Sequence, residues 1–199
     1  MGLSARLFFY LLVKRSIYIL DRGSFWGVVN WTMSSSRVAI GAPALIEHKN
    51  MRFLITDRPT SSNLTTYVQQ LKRHNVKNLV RVCEPTYGTE KLQEEGILVK
   101  DWVFSDGGAP PDSLIKDWLN LLEVCFSNDL GSCIAVHCVA GLGRAPVLVA
   151  VALIESGLRY EDAVELIRTK RRGAINAKQL AFLATYQRNH KRRNKCVIQ

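Results

Sequence analysis

After Glu165 the chain has no acidic residue, yet it has ten basic ones: Arg168, Lys170, Arg171, Arg172, Lys178, Arg188, Lys191, Arg192, Arg193 and Lys195. They equal the whole formal net charge of +10, so the rest of the chain is balanced and the excess belongs to one end. Its last four charges, Lys191, Arg192, Arg193 and Lys195, have no interleaved aromatics and no reader motif, which argues against nucleic acid as their partner. No apolar run reaches the about twenty residues that cross a hydrocarbon core, and the run Leu7 to Val13 is cut by Lys14 and Arg15. The same run lacks the longer apolar stretch and small-residue cleavage site of a secretory signal. Gly2 invites myristoylation, but Arg6 stands where that motif needs Ser or Thr. Cys83, Cys125, Cys133, Cys138 and Cys196 show neither a secreted disulfide framework nor a paired C-x-x-C for zinc, and a reducing compartment follows. No metal site and no cofactor motif is expected.

At 199 residues one domain is the default, and no internal repeat divides it. Residues 1–36 are set apart as an N-terminal extension, disordered or a spurious start given Met33, and no function is assigned to them. The domain proper is read as 37–189 and a polybasic tail as 190–199. Ala44 to His48 and Arg52 to Ile55 read as a hairpin around Lys49 and Asn50. Leu64, Tyr67, Val68 and Leu71 recur at helical spacing over 64–74. Strands are predicted at 78–83, 97–99 and 133–137, and helices at 114–126, 146–156, 160–170 and 177–189. Strands alternating with helices predict an α/β fold with a central, mostly parallel sheet flanked by helices.

The chemistry concentrates at the end of the Cys133 to His137 strand. Five residues separate Cys138 from Arg144, and an apolar helix follows, which makes strand, tight loop and helix N-terminus. Successive N–H groups of Val139, Ala140, Gly141, Leu142 and Gly143 form a concave anion site, reinforced by the positive end of the helix dipole. Arg144 adds a bidentate fork to two oxygens of a tetrahedral anion. The field that holds a phosphate also favours a thiolate at Cys138, so nucleophilic attack on phosphorus is the expected reaction. A leaving alkoxide or phenoxide needs a proton, and the turn-rich loop from Asp101 to Gly108 offers Asp106, with Asp101 as runner-up. His137 is expected to hydrogen-bond the loop rather than act as a base. Cys83 ends a neighbouring strand, so one pocket can hold it with Cys138.

His137-Cys138-Val139-Ala140-Gly141-Leu142-Gly143-Arg144-Ala145-Pro146, together with Asn50 to Thr56, Val80 to Glu84, Lys170 to Ala174 and the terminus Cys196 to Gln199, resembles the phosphatases of regenerating liver, or protein tyrosine phosphatases type IVA. The resemblance runs from about Pro43 to Gln199. It implies a compact dual-specificity-phosphatase-like domain, a phosphocysteine on Cys138, Asp106 as general acid, and Cys83 as a resolving cysteine that closes a reversible disulfide with Cys138. The family's acid loop has one glycine before Ala-Pro-Pro, and Gly107-Gly108 is one longer. Cysteine phosphatases at large carry Ser or Thr where this chain and the resembled family have Ala145, which implies slow hydrolysis of the intermediate.

Cys196-Val197-Ile198-Gln199 is a C-a-a-X box whose terminal Gln favours farnesyl. One prenyl chain anchors only marginally, and the basic tail supplies a second signal on an anionic membrane. The expected location is the cytoplasmic face of the plasma membrane and endosomes, or cytosol and nucleus without the lipid. Expected substrates are a phosphorylated protein or a phosphoinositide. The alternative that the resemblance implies is a binding module for CBS-domain magnesium transport mediators of the cyclin M type, with self-association on a membrane.

Overall fold

The computed structural model describes residues 10–13, 16–19, 42–129 and 131–188. The polybasic tail from Lys191 and the prenylation box at Cys196 lie outside them. In the N-terminal segment, β1 (Tyr10–Val13) pairs antiparallel with β2 (Ser16–Ile19), with Tyr10 opposite Ile19. This hairpin belongs to the first of two compact units, Met1–Arg37.

The second unit is built on a five-stranded sheet of order β3-β4-β7-β5-β6. Its strands are β3 (Ala44–His48), β4 (Met51–Thr56), β5 (Val76–Arg81), β6 (Leu98–Asp101) and β7 (Cys133–His137). Only the β3–β4 hairpin is antiparallel; its turn passes through Lys49 at φ +54. The β4–β7, β7–β5 and β5–β6 pairs are parallel, so the mostly parallel sheet read from the sequence is present.

Alternation along the strands sorts the helices. Phe53, Ile55, Val80, Ile134 and Val136 face a core shared with α3 (Asp112–Asn128), α4 (Arg144–Glu155), α5 (Tyr160–Lys170) and α6 (Ala177–Thr185). Leu54, Leu79, Cys133 and Ala135 face α1 (Leu64–Arg73) and α2 (Glu90–Glu94) on the other side. From Arg144 to Ile154 every residue of α4 is buried, which makes it the central helix. Trp118 of α3 locks onto it by donating Nε1–H to Leu148 O at 2.8 Å. Pro146 is tolerated because the first turn of a helix has no carbonyl partners for its N–H groups.

Parallel register decides where the site is. Thr56 of β4 and Arg81 of β5 both pair with His137 of β7, and Arg81 pairs with Asp101 of β6. Four strands therefore end in one row, and their following loops converge on one edge, where open α/β sheets bind ligands. Most element ends fall within two residues of the sequence expectation, and three differences stand out. A single turn, α2, has too few residues to show a helical period. At the other end of the chain α6 stops at Thr185, where Tyr186 turns to an extended ψ of 120°. The strand expected over 78–83 is β5 at 76–81, so Cys83 lies on a loop, although Val82 N–H still donates to His137 O.

Candidate active site

Cys138 is the first residue after β7 and is buried. The loop from Cys138 to Gly143 is shaped from behind by one short segment. Arg171, itself buried, donates from Nη2 to Ala140 O at 2.7 Å and from Nε to Gly141 O at 3.2 Å. Ile175 N–H donates to Leu142 O at 2.7 Å. Carbonyl and N–H of a trans peptide point in opposite directions, so fixing these three carbonyls turns the N–H groups of Gly141, Leu142 and Gly143 to the other side, toward the anion position. Arg171 is anchored in turn by Ala42 O at 2.6 Å and by an ion pair with Asp57. Ile175 adopts φ +67, a conformation costly for a β-branched side chain, and this strain sits where its N–H meets the loop.

Gly141 is required twice over. Its φ is +62, and a Cβ there would stand 2.6 Å from Arg171 Nη2 and 2.7 Å from Thr56 O.

Arg144 opens α4 and is buried, donating from Nη1 to Phe104 O at 3.2 Å. Its Nε lies 3.2 Å from Asp106 Oδ1, within ion-pair range, but the N–H is not aligned on that oxygen and has no hydrogen-bond partner among the described residues. A buried guanidinium N–H without an aligned acceptor, at the end of a loop whose carbonyls are bonded from behind, fits a tetrahedral oxyanion. Asp106 is the exposed partner, its side chain 77% accessible, with Oδ1 also accepting Gly107 N–H at 3.0 Å.

The extra glycine in the acid loop has its own partners. Asn176 Nδ2 donates to Gly107 O at 3.3 Å and Gln179 Nε2 to Gly108 O at 3.2 Å. The same two residues form the capping box of α6, so the N-terminus of that helix is also the seat of the acid loop. Gly107 has φ +66, and a Cβ on Gly108 would be 2.5 Å from Ser105 Oγ. Asp101, the runner-up acid, is committed elsewhere: both its oxygens accept from Arg81, at 2.5 and 2.9 Å.

His137 is fully buried, and its ring nitrogens have distinct partners. Nδ1 is 3.0 Å from Cys138 O, which can only accept, so Nδ1 carries the hydrogen; Nε2 then accepts the Tyr87 hydroxyl at 2.5 Å. Burial pushes its pKa down to about 4, so it is neutral at physiological pH. Tyr87 is itself covered by the Arg81 guanidinium, 4.6 Å from the ring centre. Cys83 Sγ lies 4.0 Å from His137 Nδ1, and burial pushes its thiol up, with Arg144 opposing and Cys138 reinforcing. Ala145, the second residue of α4, is fully buried.

Cys138, Arg144, Asp106, His137, Cys83 and the 139–143 loop are thus brought to one edge. Arg171, Ile175, Asn176, Gln179 and Tyr87 were not singled out from the sequence. Only the quoted run Lys170 to Ala174 hinted at the first of them. Among the described residues no group of three or more His, Cys, Asp or Glu is placed to hold a metal ion, and no helix is long and apolar enough to cross a membrane.

A thiol at the base of an arginine-closed anion loop, on a parallel sheet, defines a cysteine-dependent phosphatase of the dual-specificity type. Residues 56–158 match the family model described as "Polymorphic toxin system, DSP-PTPase phosphatase". The chain is 55% identical over 165 residues to protein tyrosine phosphatase type IVA 3 of Bos taurus, covering 79% of this chain and 95% of that one. It is also 55% identical to the PRL-1 phosphatase of Drosophila melanogaster, over 79% of this chain and 93% of that one. A solved putative protein tyrosine phosphatase from Leishmania major superposes with a TM-score of 0.67 at 41% identity, covering 73% of this chain and 99% of that one. The chain belongs to the protein tyrosine phosphatase type IVA family.

Proposed function

We propose that the protein is a prenylated, membrane-associated protein tyrosine phosphatase that works through a Cys138 phosphocysteine and releases it slowly. The Cys138 thiolate attacks phosphorus, the P–O bond to the substrate breaks, and Asp106 gives its proton to the leaving oxygen. Arg144 and the loop N–H groups hold the three non-bridging oxygens, whose charge they match through the transition state. Water then cleaves the S–P bond. In this second step Ala145 offers no hydroxyl to the departing sulfur, which makes it the slow one.

The observation that carries the reading is the 3.2 Å approach of Asp106 Oδ1 to Arg144 Nε, which puts a carboxyl group beside the anion-binding cation. Asp106→Asn tests it. Turnover of a phosphotyrosyl peptide should fall by about a hundredfold or more, and an aryl phosphate with a more acidic leaving group should lose less, since the acid matters most for a poor leaving group. Equal losses on both substrates would contradict the role. The membrane part rests on Cys196 and the basic tail. Farnesylated protein should bind anionic vesicles in a salt-sensitive way, and Cys196→Ser should abolish that binding.

A second reading, a binding module for CBS-domain magnesium transport mediators of the cyclin M type, is favoured by the same buried Ala145. A long-lived phosphocysteine would occupy the pocket and switch binding off. Asp106→Ala should spare such binding while crippling turnover.

A further inference from the structure

Arg58 follows β4 and lies beside the phosphate loop: its N–H donates to the carbonyl of Val139, the residue after the nucleophile, at 3.1 Å. Its side chain is half-buried, yet among the described residues the guanidinium has no hydrogen bond and no ion pair. The contrast with Arg81, Arg144 and Arg171 is sharp, since each of those is pinned to carbonyls, a carboxylate or both. Its field reaches into the site: it opposes the burial that raises the Cys83 thiol and adds to the burial that lowers His137. Arg58 also borders a cavity of about 290 Å³ between the β4 end and α1, with Thr66, Tyr67 and Gln70 on the helix side. Within that wall Tyr67 and Thr56 satisfy each other through their hydroxyls at 2.8 Å, and the Asp57 carboxylate is neutralised by Arg171. The charge left uncompensated there is that of Arg58.

We propose that Arg58 and this cavity form a second anion subsite, which selects phosphotyrosine peptides bearing an acidic residue beside the phosphotyrosine. The inference rests on the phosphatase reading above and names its substrate class. The Arg58 backbone is bonded to the residue after the nucleophile, and the cavity that Arg58 borders contains no residue of the 138–144 loop, so the subsite is next to the phosphate position rather than part of it. The cavity is near the small end of ligand pockets, which suits one carboxylate side chain. A guanidinium takes a carboxylate bidentately, whereas Lys would offer a point charge only.

The test uses the full chain and two phosphotyrosyl peptides that differ only in Glu or Gln beside the phosphotyrosine. The wild type should prefer the Glu peptide in kcat/KM by roughly fivefold, the range of a partly exposed ion pair, and the preference should shrink with added salt. In Arg58→Gln the ratio should fall to about one, and in Arg58→Lys to a value between. The ratio is internal to each protein, so a general loss of activity does not obscure it, and the wild-type salt dependence stands without any variant. Equal wild-type rates on the two peptides overturn the subsite while leaving the phosphatase reading intact. So does an Arg58-dependent preference confined to vesicles of a bisphosphorylated inositol lipid over a monophosphorylated one. Turnover of neither peptide, with no adduct on Cys138, overturns the phosphatase reading and the subsite with it.

Discussion

Gln179 Nε2 donates to Gly108 O, tying the first turn of α6 to the loop that carries Asp106. Gln179 is fully buried and also accepts Asn176 N–H, so its amide has no freedom to follow the loop outward. Gln179→Ala should loosen the acid loop and lower kcat on a phosphotyrosyl peptide by roughly tenfold, because small misplacements of a catalytic group cost rate steeply. The affinity for an inert oxyanion such as vanadate, held by the loop of Cys138 to Arg144, should change little. A loss of oxyanion affinity equal to the loss of kcat would assign Gln179 to the phosphate loop instead.

Arg171 predicts the opposite split. It fixes the carbonyls of Ala140 and Gly141, so Arg171→Met should free those peptides and weaken oxyanion binding at least as much as it lowers kcat. It should also destabilise the fold by several kcal/mol, since the Asp57 carboxylate loses its counter-ion. Isothermal titration with vanadate and urea unfolding read the two effects separately.

Stability should depend on His137. Its pKa is about 4 in the folded state against 6.5 unfolded, so between these values the unfolded chain binds the extra proton. Unfolding free energy should therefore be fully supported above about pH 6.5 and fall as pH drops toward 4, by a total of order 3 kcal/mol. Urea unfolding of wild type and His137→Gln at pH 7, 5 and 4 checks this. The variant loses a hydrogen bond to Tyr87 at every pH but should lack this part of the slope.

Much of this was legible in the sequence. The hairpin around Lys49, the helix at 64–73 and the β7–loop–α4 unit follow from period, turn chemistry and the Cys138–Arg144 spacing. Legibility ended where a role depends on a distant partner. Arg171 looked like one more member of a basic end, although it is buried on the carbonyls of a loop 31 residues earlier in the chain. Asn176 and Gln179 read as an ordinary helix start, and nothing local says that the same amides bind residues 69 and 71 positions before them. Asp101 could not be separated from Asp106 by composition; it took the β5–β6 register to place it against Arg81.

Mild peroxide should convert Cys138 to a sulfenic acid, which the Cys83 thiol then attacks, forming the S–S bond and releasing water. Burial pushes the Cys83 thiol up, which suits it to resolve rather than to be oxidised first. Non-reducing mass spectrometry should show a Cys83–Cys138 peptide, reversible by thiol, and in Cys83→Ser irreversible sulfinic and sulfonic Cys138. Overoxidised Cys138 as the only wild-type product would contradict the pairing.

The measurement closest to the central claim is a rapid-mixing phosphatase assay with intact-mass detection of the protein, on wild type and Ala145→Ser. A burst of leaving group equal to the enzyme concentration, a phosphate adduct on Cys138, slow turnover afterwards and a faster second phase in Ala145→Ser are the predicted result. No burst and no adduct in either protein would contradict it, and would leave the pocket as a recognition site.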